Sequence, residues 1–327
     1  MKTSKKMLML ILAAAMVLVL SSCGEKKEKI VIYTSLEDFR LEVLNKRLAE
    51  EFPQYDVTVE YLSTGNHAAK LLAEGTETDA DITYNLEYSY LQKLENEGYL
   101  ADLSAFSMPK YMEDTKAGSC YAAQERNGGS IVLSPELLEE KGLPEPTSYQ
   151  DLLDPMYRGL ISMPSPKASG TGYMFLKSLV NAWGTEEAFA YFDALTPNIL
   201  QYTSSGAGPL NAVLQGEAAI GLGMTAPAVT EINKGAKLKL VYFEEGAPYS
   251  MYGLGIIKGK EDRQAVQEVF DFLLNTFNYE NCEKFFPEKI YEDRDFSIEN
   301  YPQDIRYADM SNDSVEEKER LLEMWKY

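Results

Sequence analysis

From residue 30 onward, short unbroken apolar runs alternate with longer stretches whose apolar residues recur at helical spacing. Ile30–Tyr33 is continuous and β-branched, the pattern of a strand buried on both faces. Phe39, Leu41, Leu44, Leu48 and Phe52 follow with roughly helical spacing, and Pro53 ends that run. Val57–Tyr61 predicts a second strand, and His67 to Glu74 a helix closed by Gly75. Ala80–Tyr84 predicts a third strand, followed by a helix from Tyr88 to Glu97 that stops at Gly98. Strand, loop and helix in this repeated order predict a parallel sheet covered by helices.

The pattern returns further along. Ile161-Ser-Met-Pro-Ser-Pro-Lys-Ala-Ser-Gly-Thr-Gly opens as a short strand, breaks at Pro164 and Pro166, and leads into a helical run from Tyr173 to Trp183. Ile199–Tyr202 and Ala218–Leu222 predict strands, each followed by a helix, closed by Gly216 and Gly235. Thr225 is placed to cap the second of these helices. Lys239–Phe243 and Tyr249–Lys258 predict further strands, and Glu261–Phe277 an amphipathic helix. Beyond Phe285 the chain reads as irregular until Ser314-Val-Glu-Glu317, a capping box that opens a final helix.

In such sheets ligands sit beyond the carboxyl ends of the strands. The segments falling there carry small and polar residues: Ser35 and Glu37, Ser63–Gly65, Asn85 and Glu87, Ser169–Gly172, Ser204–Gly206 and Thr225. Ser/Thr/Gly loops that lead into helices expose free backbone N–H groups at the positive end of the helix dipole, which suits an anion. An ordinary helix cap requires the same residues. Glu37 and Glu87 could receive hydroxyls or an amine, and Tyr252 could stack on a ligand.

The formal net charge of -20 argues against nucleic acid, which needs basic patches. The single histidine, His67, and the lack of any CxxC pair give little support to zinc chemistry or to Ser-His-Asp and Cys-His catalysis. Cys120 and Cys282 read as separate thiols. Residues 1–22 form a signal peptide: Lys2, Lys5 and Lys6 precede an apolar run that is short for a membrane span. The segment ends Leu20-Ser-Ser-Cys23-Gly24, which is similar to a bacterial lipobox and implies cleavage before Cys23 and lipidation of its sulfur.

The lipobox, the two α/β halves and the order of Ile30–Glu37, Ala80–Leu103, Leu152–Gly172, Leu214–Gly221 and Tyr249–Lys260 resemble the extracellular solute-binding proteins of ABC importers. Within them the chain is similar to the ferric-ion, thiamine, phosphonate and sugar-phosphate binders. The resemblance implies a two-lobed periplasmic-binding-protein fold (type II), each lobe a mostly parallel sheet covered by helices, joined by a hinge. The implied division is a linker at 23–29, lobe 1 at 30–125, lobe 2 at 126–242, a crossover and return at 243–285, and an extension at 286–327. Chain crossings fall near Arg126–Ser134 and Phe243–Tyr252. It also implies a monomer, anchored outside the cell membrane through Cys23, that delivers a small solute to a membrane permease without a cofactor or turnover. Ferric binders carry adjacent tyrosines where this chain has Gly223-Met-Thr-Ala-Pro227, so iron held in that manner is not expected. The leading expectation is a phosphorylated or phosphonate-like anion. A cationic solute (ferric ion, polyamine or thiamine) and an exported hydrolase are the alternatives.

Overall fold

The computed structural model describes residues 27–327; the signal segment and Cys23 lie outside the described residues. The first half runs β1 (Lys29–Thr34), α1 (Asp38–Glu51), β2 (Asp56–Tyr61), α2 (Thr64–Glu74), β3 (Ile82–Glu87) and α3 (Tyr88–Asn96). A 12-residue strand, β4 (Ala122–Leu133), leads through α4 (Pro135–Glu140) to the second half. There follow β5 (Ile161–Pro164), α5 (Gly170–Trp183), α6 (Thr185–Leu195), β6 (Ile199–Thr203), α7 (Gly208–Leu214), β7 (Ile220–Met224), α8 (Thr225–Asn233) and β8 (Lys239–Val241). The chain then returns through β9 (Tyr249–Ile256), α9 (Gln264–Phe272), a π-helical turn (Leu273–Phe277) and α10 (Asn278–Lys284), and closes with α11 (Val315–Met324).

Two sheets share β4. The first has the order β2-β1-β3-β9-β4 and the second β6-β5-β7-β4, with β8 on the outer side of β4. In each sheet three strands run parallel, the fourth is antiparallel to them, and the fifth is parallel again. Residues Ala122 to Gly128 of β4 pair with β9, and Gly129 to Leu133 pair with β7 and β8. The strand changes sheets between two glycines. A Cβ on Gly128 would stand 2.6 Å from the Glu288 carboxylate, and one on Gly129 would stand 2.6 Å from the Met174 side chain. A larger residue at either position would have to displace that neighbouring side chain.

The unbroken apolar runs are explained by burial on both faces. Ile30 and Ile32 join one core with Leu44, Leu48, Val266 and Phe270, while Val31 and Tyr33 join another with Leu71 and Leu91. In the second sheet Ile131 and Leu133 pack with Met163, Phe175 and Leu222, and Val132 packs oppositely with Leu210 and Val213. Successive side chains of a strand point to opposite faces, so both must be apolar.

Several expectations change in detail. Asn85–Glu87 is the buried end of β3 rather than a loop. Asn85 has φ 59°, a left-handed conformation that asparagine tolerates, and the pairing with β9 shifts register there. The helix predicted from Tyr173 begins at Gly170, so Gly170–Gly172 are its first turn. Thr225 is not a cap: Met224 holds that position, and the buried Thr225 hydroxyl lies 3.4 Å from the Tyr242 phenol. The Glu261–Phe277 helix starts at Gln264 and continues through the π turn into α10, and α6 is a further helix between the Tyr173–Trp183 run and the Ile199 strand. Cys120 and Cys282 are both free. No helix of the described residues is long and apolar enough to cross a membrane.

Candidate functional site

The carboxyl ends of β1 and β3 face those of β5, β6 and β7 across a cleft of about 1240 Å³. The first-sheet wall carries Ser35, Glu37, Ser63–Gly65, Asn85, Glu87 and Tyr252. The second-sheet wall carries Ser169–Thr171 and Ser204–Gly206. Of the residues expected at a site, Gly172 and Thr225 do not line the cleft. A Cβ on Gly172 would lie 2.4 Å from the Pro164 carbonyl, so this glycine lets α5 approach the end of β5.

The floor of the first wall is a buried charge network. Arg40, on the inner face of α1, makes a two-pronged ion pair with Glu125 on β4. Its Nε donates to Asn281 at 3.0 Å, and Nη1 also donates to Glu37 at 3.0 Å. The amides of Asn85 and Asn281 donate to Glu125 at 3.2 and 2.9 Å. Burial opposes the Arg40 charge, but Glu125 and Glu37 together outweigh it and the guanidinium pKa is raised. Beside this network the buried His67 ring lies 2.9 Å from Ser35 Oγ and 3.0 Å from Thr83 Oγ1. Burial lowers the His67 pKa to about 3, so the ring is neutral near pH 7. Burial raises the Tyr252 phenol well above its ordinary value, which keeps its O–H available to donate.

The facing helix starts differ from ordinary capped helices. Ser63 precedes α2 and Ser169 precedes α5, each with the extended backbone of a cap residue, yet neither hydroxyl bonds to its own helix. Ser134 and Ser314 do cap their helices, accepting from Leu137 and Glu317 N–H groups at 3.3 and 3.2 Å. The two loops of the second wall touch: a Cβ on Gly206 would stand 2.3 Å from Thr171 Oγ1. Around Gly170 there is space, with only the Tyr252 hydroxyl near an added Cβ, at 3.9 Å.

Sequence reasoning missed part of the cleft. Lys318 of α11 reaches Glu87 with Nζ 2.6 Å from Oε2, and both side chains are buried. Burial works against the Lys318 ammonium, but Glu87 together with Tyr90 and Asp313 more than compensates and its pKa is raised. Glu125, Asn127 and Tyr90 also line the cleft. The Glu37/Arg40 spacing of three residues hinted at an ion pair, but no local signal ties Lys318 to a residue 231 positions earlier. Among the described residues no group of three or more His, Cys, Asp or Glu side chains could hold a metal ion.

Residues 78–309 match the model of the bacterial extracellular solute-binding protein family, and the chain belongs to that family. The fold is the periplasmic-binding-protein fold. A Haemophilus influenzae protein is 28% identical over 266 residues, covering 79% of this chain and 76% of its own length. A putative 2-aminoethylphosphonate-binding periplasmic protein of Salmonella typhimurium is 22% identical over 228 residues, or 67% of this chain and 65% of that one. The structure of the periplasmic binding protein AfuA from Actinobacillus pleuropneumoniae, with exogenous fructose-6-phosphate bound, superposes with a TM-score of 0.75 at 25% identity. That match covers 92% of this chain and 98% of AfuA. The protein is thus an extracellular solute-binding protein of a transport system, and proteins of this kind deliver small solutes to ABC permeases.

Proposed function

We propose that this protein captures a small phosphorylated or phosphonate-like organic anion in the cleft. The observation that carries the reading is the pair of helix starts on opposite walls, at Ser63 and Ser169, whose hydroxyls are not spent on capping. Free N–H groups at two helix N-termini, with spare hydroxyls and an open glycine, suit a tetrahedral oxyanion. Two relatives point the same way, one named for an aminophosphonate and one holding a sugar phosphate. A cation receptor draws less support, because Glu37 and Glu125 pair with Arg40, and Glu87 with Lys318. We propose lipid anchoring through Cys23, action as a monomer, and delivery without turnover. Ser35 and His67 resemble a nucleophile and base, but an imidazole pKa near 3 is far below that of an effective base at neutral pH. The ring instead orients Ser35.

Thermal shift of the purified chain against sugar phosphates, phosphonates, polyamines, thiamine and ferric salts tests the reading. A bound ligand well above its Kd raises Tm by mass action. Response to a polyamine or thiamine alone would overturn the anion reading. Hydrolysis of a phosphoester that disappears in His67→Ala would overturn the non-enzymatic one.

A further inference from the structure

The family model ends at residue 309, and α11 lies beyond it. This helix is built into the cleft. Leu321 and Trp325 sit in the core of the second sheet, and Lys93 on α3 of the first lobe reaches Glu316 at 2.9 Å. Lys177 of α5 donates to the Asn312 carbonyl at 3.0 Å, and Tyr173 donates to Asp313 at 2.5 Å, fixing the approach to the helix. Lys318 is thereby held with its ammonium 4.9 Å from the Tyr90 ring centre and 4.6 Å from that of Tyr173. Its contact with Glu87 uses only Oε2. Glu87 Oε1 is buried and has no hydrogen-bond partner among the described residues, and the same holds for Asn127 Oδ1. Both residues line the cleft.

Unmet buried acceptors of this kind call for donors. We propose that α11 completes the solute site, with Lys318 neutralising Glu87 so that the cleft selects a phosphorylated solute bearing neutral hydroxyls over one bearing an ammonium. The inference rests on the anion reading above. A lone carboxylate would attract an ammonium. A carboxylate already cancelled by a lysine keeps a free oxygen for an O–H donor and sets a like charge against a second ammonium. Asn127, a neutral acceptor, fits a second hydroxyl. Glu125 does not disturb this balance, because Arg40 cancels it; Asp313, which also lies near Glu87 and Lys318, is held by the Tyr173 hydroxyl and faces Lys177.

Calorimetric titration of the full chain with glycerol 3-phosphate, a hexose 6-phosphate, 2-aminoethylphosphonate and ethylphosphonate tests the proposal. At least one hydroxylated phosphate should bind about tenfold or more tighter than both 2-aminoethylphosphonate and ethylphosphonate, the worth of a hydrogen bond to a charged group. K318M, which unmasks Glu87, should reverse the preference toward 2-aminoethylphosphonate. In E87Q/K318M, which removes both charges of this pair and remains testable if K318M fails to fold, the preference against the ammonium should shrink below tenfold. Equal binding of ethylphosphonate and the hydroxylated phosphates overturns the inference while leaving the anion reading intact. So does tightest binding of 2-aminoethylphosphonate by the unmodified chain, or an unchanged preference in E87Q/K318M. Binding of none of the four overturns the anion reading and this inference with it.

Discussion

The two walls of the cleft are built on the same strand order but from opposite materials. The first-sheet wall is pre-wired: Arg40, Glu125, Asn281 and Asn85 satisfy one another, and His67 bridges Ser35 to Thr83. The second-sheet wall is exposed small residues, with Ser204 and Ser205 facing solvent and the Ser169 hydroxyl not bonded to its helix. A buried charge network stores its interaction energy in the protein, so damage there costs stability. Loops with spare donors hold theirs for a ligand, so damage there is expected to weaken binding.

The largest expected effect breaks the first wall. Arg40→Met leaves Glu125 buried without its cation, and removing one partner of such a pair costs about 3–5 kcal/mol. Chemical denaturation of the unliganded protein should show that loss. Arg40→Met combined with Glu125→Gln should cost less than the two single losses added together, because no unpaired charge remains. A single variant as stable as the parent would mean that the network carries no such energy.

Next comes the second wall. Thr171→Ala should weaken solute binding by roughly 1.5–3 kcal/mol, the worth of a hydrogen bond to a charged group, with the unliganded Tm unchanged. Gly170→Val should weaken it further. No positive φ strains this residue and open space surrounds it, so the branched side chain fits the free protein and obstructs only what enters the cleft. Calorimetry and melting of the same samples check both; a drop in Tm without a change in Kd would move these residues to a structural role.

A third effect separates the walls by pH. Burial holds the His67 pKa near 3 in the folded chain, against about 6.5 when unfolded. Below pH 6.5 the unfolded chain binds a proton that the folded one refuses. The stability carried by His67 therefore falls as pH drops from about 6.5 toward 3, by up to about 1.4 kcal/mol per pH unit. Asp313 beside α11 works oppositely. Burial, and then the nearby Glu87, raise its pKa from 3.8 to about 6, so its contribution is lost as pH rises from about 4 to 6. Denaturant titrations across pH 4–6 should flatten in one direction for His67→Asn and in the other for Asp313→Asn. The same slope in both variants would refute the assignment.

The smallest effect concerns caps. Ser134→Ala and Ser314→Ala remove real caps and should each cost ~1 kcal/mol. Ser63→Ala and Ser169→Ala should stay within about 0.5 kcal/mol in the unliganded chain. Losses equal to those of the true caps would erase the distinction on which the anion reading rests.

The sequence alone determined the alternation of strands and helices, because burial on both faces forces unbroken apolar runs such as Ile30–Tyr33, and because Gly216 and Gly235 mark where helices end. It also placed the small-residue loops at strand ends, since that placement follows from the order of elements. Which of those residues face the cleft depends on how the elements pack against one another. Thr225 and Gly172 share the composition of true lining residues and are turned into packing, and composition carries no direction. Tertiary structure also decided the charges that matter. Arg40 and Glu125 are 85 positions apart, and Glu87 and Lys318 are 231 apart. An ion pair at such a separation leaves no periodic trace in the chain, because it depends on where two elements pack and not on the spacing within either.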